Sequence, residues 1–178
     1  HFHTSGGNEA YSVMAHTLRG IYGTDVLIAT GNSFTGSVRK AGYTEKMARN
    51  MIMPNELSAY SSKMSGAELK EMIKNFVEGY EGGFTPFNRG SLPVFSGISV
   101  EIKETDEGYT LSNVTEDGKK VQDNDTFTVT CLAIPQHMEV YSAGKNMVFD
   151  GEVKDTWTKY VSEGNAVLAK PEDYMTLR

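Results

Sequence analysis

Thr30-Gly-Asn-Ser-Phe-Thr-Gly36 gathers three hydroxyls, one amide and two glycines in seven residues. Directly before it, Val26-Leu-Ile-Ala29 is a continuous apolar run, which reads as a strand buried on both faces, since an exposed strand would alternate polar and apolar residues. A strand that runs into a small polar turn presents backbone N–H groups and hydroxyls at its carboxyl end, a common place for a ligand in α/β sheets. Thr30, Gly31, Asn32, Ser33 and Thr35 are therefore the first candidate binding residues. A plain connecting loop is the other reading of the same segment. Neither reading names a reaction.

Other chemistry-bearing residues are sparse. Cys131 is the single cysteine, so an intrachain disulfide and a cysteine-based zinc site are excluded. It lies in the strand-like run Thr126-Phe-Thr-Val-Thr-Cys-Leu-Ala133 and reads as a buried, inert thiol rather than a nucleophile. His1 and His3 have a spacing that a strand can use for a metal, but no carboxylate lies beside them, so no metal site is assigned. Asp123 and Asp125 flank a turn and solvate it. The sequence has no GxxxxGK[ST] phosphate loop, GxGxxG turn, GxSxG elbow or HExxH pair. A complete catalytic set cannot be assembled, and no catalytic residue is assigned.

Composition narrows the class. The 178 residues fit one domain, and a 39% hydrophobic, 22% charged chain is that of an ordinary globular protein. A net charge of −6 without a lysine/arginine cluster argues against a nucleic-acid or anionic-membrane partner. No window approaches the ~20 apolar residues of a membrane span. The opening His1-Phe-His-Thr-Ser-Gly-Gly lacks the apolar core of a secretory leader, and the chain reads as a segment of something longer.

The elements that must position the turn follow from periodicity. Asn8 to Tyr22 reads as a helix, with Ala10, Val13, Met14, Thr17, Leu18 and Ile21 on one face and Gly23 as its stop. His16 lies off that face, as a solvated or rim histidine. A second helix, capped by Thr44, is expected to run to about Met53 before Pro54. Glu56 to Met64 reads as an edge strand. Ser65-Gly-Ala-Glu68 is a capping box opening a helix whose apolar face carries Leu69, Met72, Ile73, Phe76, Val77 and Tyr80. The loop that follows holds Phe84 and Phe87, which either stack on a planar ligand or plug the core beneath. Leu92 to Lys103 is strand-like with a break at Ser96-Gly97, and a hairpin turns at Asp117-Gly118. Thr126 to Ala133 is a strand ended by Pro135, and Lys154 to Val161 a helix ended by Glu163-Gly-Asn. Gln136 to Val148 is ambiguous. Helices alternate with strands early and strands dominate late: an α/β or α+β chain forming a single compact domain over 1–178, with a mixed sheet and flanking helices.

The order of these segments resembles the C-terminal domain of the 5′-nucleotidase family of bifunctional metallophosphatases. The resemblance runs from Asn8 to Arg178. Asn8-Glu-Ala-Tyr-Ser-Val-Met-Ala-His-Thr-Leu-Arg19 and Gly23-Thr-Asp-Val-Leu-Ile-Ala29 are similar to the family's first helix and its "gADialiN" strand. Gly42-Tyr-Thr-Glu, Ile52-Met-Pro54 and Lys63-Met-Ser-Gly-Ala-Glu-Leu69 are similar to its "G-x-I-T", "LPF" and "L-x-G-x-x-L" segments. Leu92-Pro-Val-Phe-Ser-Gly-Ile98 is similar to "lqvSGi", and Gly118 with Asp125-Thr-Phe-Thr-Val is similar to the next strand.

In that family an N-terminal calcineurin-like domain with two metals hydrolyses a phosphate ester. The C-terminal domain clamps the base between two aromatics and hydrogen-bonds ribose and phosphate. The resemblance therefore implies a substrate-binding domain that works with an N-terminal metallophosphatase domain, divalent metals held there and none here, a nucleotide or other small phosphorylated ligand, and extracytoplasmic placement; a dimer is compatible with it. The contact residues depart from the pattern. Thr30 stands where the family has its "N-G-G-G-I-R" asparagine, Thr35 where it has the arginine, and Asn55 where it has the aromatic of "LPF". The second aromatic and the "GGDG" segment fall on Ile134-Pro-Gln-His-Met138 and beyond, without Gly-Gly-Asp, and a further arginine upstream of the first helix has no counterpart. Each missing stacking surface removes ~1–3 kcal/mol with a base, and the missing arginine a charge-assisted pair of roughly 1.5–3 kcal/mol. The expected site is thus a divergent one around Thr30–Thr35 and Asn55, with Phe84 or Phe87 supplying an aromatic from another direction. A non-catalytic module that keeps the fold for packing or interaction is the alternative.

Overall fold

The computed structural model describes residues 9–35, 43–78, 93–106, 108–142, 145–165 and 175–177. His1, His3, Gly36, Phe84 and Phe87 lie outside the described residues.

Two sheets form the frame. The main sheet joins β1 (Val26–Thr30), β2 (Ser58–Ser65), β3 (Pro93–Ser96), β7 (Thr126–Ala133) and β8 (Val148–Glu152) in the order β3-β1-β7-β2-β8. β1 runs parallel to β7, and the other neighbours are antiparallel. The second sheet orders β6 (Lys119–Lys120), β5 (Gly108–Glu116), β4 (Ser99–Thr105) and β9 (Met175–Leu177).

β1 is buried on both faces, and its alternation divides the core. Val26 and Ile28 enter a cluster with Leu69, Met72 and Phe76 of helix α3 (Gly66–Glu78) and with Val100 and Val114 of the second sheet. Leu27 and Ala29 enter a cluster on the opposite face, with Met14 and Leu18 of α1 (Glu9–Tyr22), Ala48 of α2 (Glu45–Arg49) and Trp157 of α5 (Val153–Ser162). β7 alternates likewise, so two apolar layers sandwich the strands whose carboxyl ends matter below.

Local signals set most boundaries. Gly23, at φ +64°, stops α1, a conformation that costs glycine nothing. The capping box closes as its spacing requires: Glu68 N–H donates to Ser65 Oγ at 3.3 Å, and Ser65 N–H to Glu68 Oε2 at 2.8 Å. Asp117 and Gly118 both adopt positive φ in the two-residue turn between β5 and β6. At the entry to β1, Thr128 N–H and Oγ–H both donate to Asp25 Oδ2 at 2.7 Å. Those two bonds, the backbone one foremost, hold the Asp25 carboxyl below the usual range and pin β1 against β7.

Three expectations change. The segment 56–64 is not an edge strand: β2 lies between β7 and β8, and its polar character is absorbed in part by a hydroxyl pair, Ser61 with Thr130 at 2.8 Å. The second helix stops at Arg49 instead of near Met53. The backbone beyond it turns back over the Thr30–Thr35 segment, through Thr35 N–H to Met51 O at 2.9 Å and Met53 N–H to Ser33 O at 3.0 Å. The ambiguous Gln136–Val148 region resolves into helix α4 (Pro135–Tyr141), with proline in its first turn, and the approach to β8.

Candidate functional site

The carboxyl ends of β1 and β7 open into a cleft of about 190 Å3. β1 contributes Thr30, and the 3-10 turn at Gly31–Ser33 contributes Asn32. β7 contributes Leu132 and Ala133, with Ile134 following. The turn before β2 adds Pro54 and Leu57, and α4 adds His137 and Tyr141. The parallel pairing of β1 with β7 is what creates this opening, since both strands end on the same side and their continuations diverge.

The floor is apolar and the polar groups stand at its edge. Tyr141 is buried and stacks on Phe76, with ring centroids 4.2 Å apart and an interplanar angle of 25°. His137 meets Tyr141 edge to face at 5.8 Å. Among the described residues, the lining holds no carboxylate, lysine or arginine. The cleft therefore suits an uncharged or ring portion of a ligand and does not by itself neutralise a phosphate. Its volume falls below the roughly 300–1,000 Å3 of clefts that enclose a drug-sized molecule, so it takes one ring or one sugar.

The residues singled out from sequence are distributed unevenly around it. Thr30 and Asn32 line the cleft. Ser33 is buried, its hydroxyl 3.3 Å from that of Thr30, so it orients a lining residue rather than facing solvent. Thr35 is anchored through its backbone to Met51, and Gly31 sits in the 3-10 turn. Asn55 is on the other side of the 53–57 turn: Pro54 and Leu57 face the cleft, while Asn55 lines a separate basin and its Oδ1 accepts from Lys154 Nζ. His137 and Tyr141 were not among the candidates. Their signal was the i, i+4 spacing after Pro135, which puts both rings on one face of a short helix.

No group of three or more histidine, cysteine, aspartate or glutamate side chains able to hold a metal occurs among the described residues. Cys131 is fully buried, and burial pushes its thiol far up. No helix among the described residues is long and apolar enough to cross a membrane.

The cleft thus lies at the carboxyl ends of two parallel strands of the mixed main sheet, which carries an apolar layer on each face. The family model for "5'-nucleotidase, C-terminal domain" matches residues 5–137, well over half of the chain. The chain belongs to this family. Over 130 residues it is 25% identical to the uncharacterized metallophosphoesterase YunD of Bacillus subtilis (strain 168), covering 67% of this chain and 27% of that protein. Two solved structures share the fold. A putative 5'-nucleotidase from Staphylococcus aureus superposes with a TM-score of 0.68 at 17% identity, covering 93% of this chain and 36% of that one. The NAD nucleotidase NadN of Haemophilus influenzae does so with a TM-score of 0.66 at 16% identity, covering 96% and 33%. The chain thus spans about a quarter to a third of the length of these relatives.

Proposed function

We propose that this chain is the substrate-binding domain of a 5'-nucleotidase-like phosphohydrolase, with a divergent site in the strand-end cleft. The observation that carries the reading is the cleft itself: apolar floor, Thr30, Asn32 and His137 at the rim, and, among the described residues, no charged group in its lining. The cleft holds the base or sugar of a nucleotide, or the neutral part of another phosphorylated small molecule. The phosphate is left outside, where an N-terminal metallophosphatase domain of the same protein supplies two divalent metals and the hydrolytic chemistry. This chain orients the substrate and contributes no reacting group. Extracytoplasmic placement goes with the same reading.

The shift of Asn55 away from the cleft and the lack, among the described residues, of a second stacking residue favour a ligand held by edge hydrogen bonds rather than by a two-ring clamp. The test is ligand-observed NMR of the chain against nucleosides, nucleotides, sugar phosphates and inorganic phosphate, repeated with Asn32→Ala and His137→Ala. Loss of one polar contact is expected to weaken binding about 3- to 10-fold in each variant. Silence across the panel from folded protein overturns the reading in favour of a module that keeps the fold for packing or interaction.

A further inference from the structure

A second concavity of about 820 Å3 lies between α2 and the start of α5. Its lining is charged where the strand-end cleft is apolar: Lys46, Arg49 and Lys154 against Glu45 and Glu152, with Asn55 between. Arg49 is already neutralised by Asp155 at 2.9 Å, and both of these side chains are exposed. Lys154 is in a different position. It is only 8% exposed, yet its ammonium donates to the Oδ1 of Asn55, a neutral acceptor. Among the described residues it forms no ion pair.

A buried ammonium given a single amide oxygen has two further N–H donors to satisfy, and buried lysines are otherwise found paired. A structural pin between the 53–57 turn and α5 does not require it. Val153 N–H already joins Leu57 O at 3.0 Å, and Leu57 N–H closes the turn on Pro54 O at 3.1 Å. The charge is held at the wall of the basin and is not needed to build that wall.

We propose that the basin between α2 and α5 is an anion-binding site for a phosphorylated, hydroxyl-bearing small molecule of the sugar-phosphate class. The phosphate is received by Lys154, with Lys46 adding positive potential at the mouth. The ligand's hydroxyls donate to Glu45 and Glu152, two carboxylates that a bare anion would find repulsive. The mixed sign of the lining is what selects a hydroxylated anion over a simple one. The site is independent of the strand-end cleft, since Asn55 faces one and Pro54 and Leu57 the other.

The test is a 1H–15N titration of the chain with ribose 5-phosphate, with ribose and inorganic phosphate as separate arms. Ribose 5-phosphate is expected to shift the amides of residues 44–50 and 152–156 with saturation; inorganic phosphate is expected to bind at least ~10-fold more weakly and ribose to leave them unmoved. Lys154→Met keeps the stem and removes the charge, and is expected to raise the dissociation constant ~10-fold or more. Lys46→Gln alters only an exposed side chain, so it tests the site even if Lys154→Met does not fold, with an expected rise of about 3-fold. Shifts that never saturate, or a dissociation constant unchanged in both variants, overturn the site. Equal affinity for inorganic phosphate overturns the hydroxylated ligand. Shifts confined to residues 30–34 and 132–137 overturn this site while supporting the strand-end cleft.

Discussion

Gly66→Ala sets helix propensity against tertiary packing, and the two predict opposite signs. On propensity alone, alanine in α3 gains up to about 1 kcal/mol over glycine. A Cβ built at Gly66, however, lies 1.9 Å from the backbone oxygen of Gln122 and 3.0 Å from Val121 Cγ1. To reach ordinary contact at 3.4 Å the helix start and the 122–125 turn must separate by about 1.5 Å. That separation breaks Gly66 N–H to Asp125 O at 2.8 Å and Ala67 N–H to Asp123 O at 3.1 Å. Two hydrogen bonds at about 1 kcal/mol each, plus about 1–3 kcal/mol for displacing packed backbone, less the propensity gain, leave a net loss of about 2–4 kcal/mol. For a chain of this size that is a fall of roughly 4–16 °C in Tm. Calorimetry and urea unfolding of the variant measure it. Gly164→Ala is the comparator, since Gly164 has φ +77° but no atom within 4 Å of an added Cβ; it is expected to lose only about 1–2 kcal/mol, from backbone conformation alone. A Gly66→Ala protein as stable as the parent would refute the packing argument. The turn matters beyond stability because it leads into β7, whose far end forms the cleft.

Two further outcomes follow from single side chains. The hydrogen bond from Lys145, then that from Ser65 N–H, hold the Glu68 carboxyl down at about 2, against an ordinary value of about 4.5. A folded value below the unfolded one gives stability that is present above about pH 4.5 and lost as the pH falls toward 2, so Glu68→Gln flattens the dependence of the urea midpoint across that window. Cys131 is fully buried with its thiol driven up, so in native protein it resists a thiol reagent and is labelled at the rate of unfolding; prompt labelling without denaturant would contradict its place in the core.

What was legible in the sequence is what is local. The apolar run before Thr30 signalled a doubly buried strand, Ser65 and Glu68 signalled a cap three residues apart, and Asp117-Gly118 signalled a two-residue turn. Each depends on a few neighbouring residues and on backbone geometry alone. β2 was misread as an edge because Ser61, Ser62 and Lys63 look solvent-facing, and only the partner strand reveals the hydroxyl of Thr130 opposite Ser61. β8 escaped notice because an exposed strand with Asp150 and Gly151 carries little apolar pattern. The cleft had the same difficulty. Thr30 and Asn32 mark its rim in sequence, but Pro54, Leu57, His137 and Tyr141 join them across separations of 22 to 111 residues that no short motif encodes. Asn55 shows the limit most sharply. One residue from Pro54, it belongs to a different surface, because a turn presents successive side chains to opposite sides.

The strand-end cleft is lined with methyl groups, from Thr30, Leu57, Leu132, Ala133 and Ile134, and these report on its contents directly. The decisive measurement is a methyl 1H–13C titration of the chain with adenosine 5′-monophosphate, with Val148 on the exposed edge strand as the internal reference. A substrate-binding domain is expected to show saturable shifts at those five residues, with Val148 unmoved. A flat titration across the cleft methyls in folded protein, or shifts centred on Val148, would contradict the assignment of the cleft as a nucleotide site.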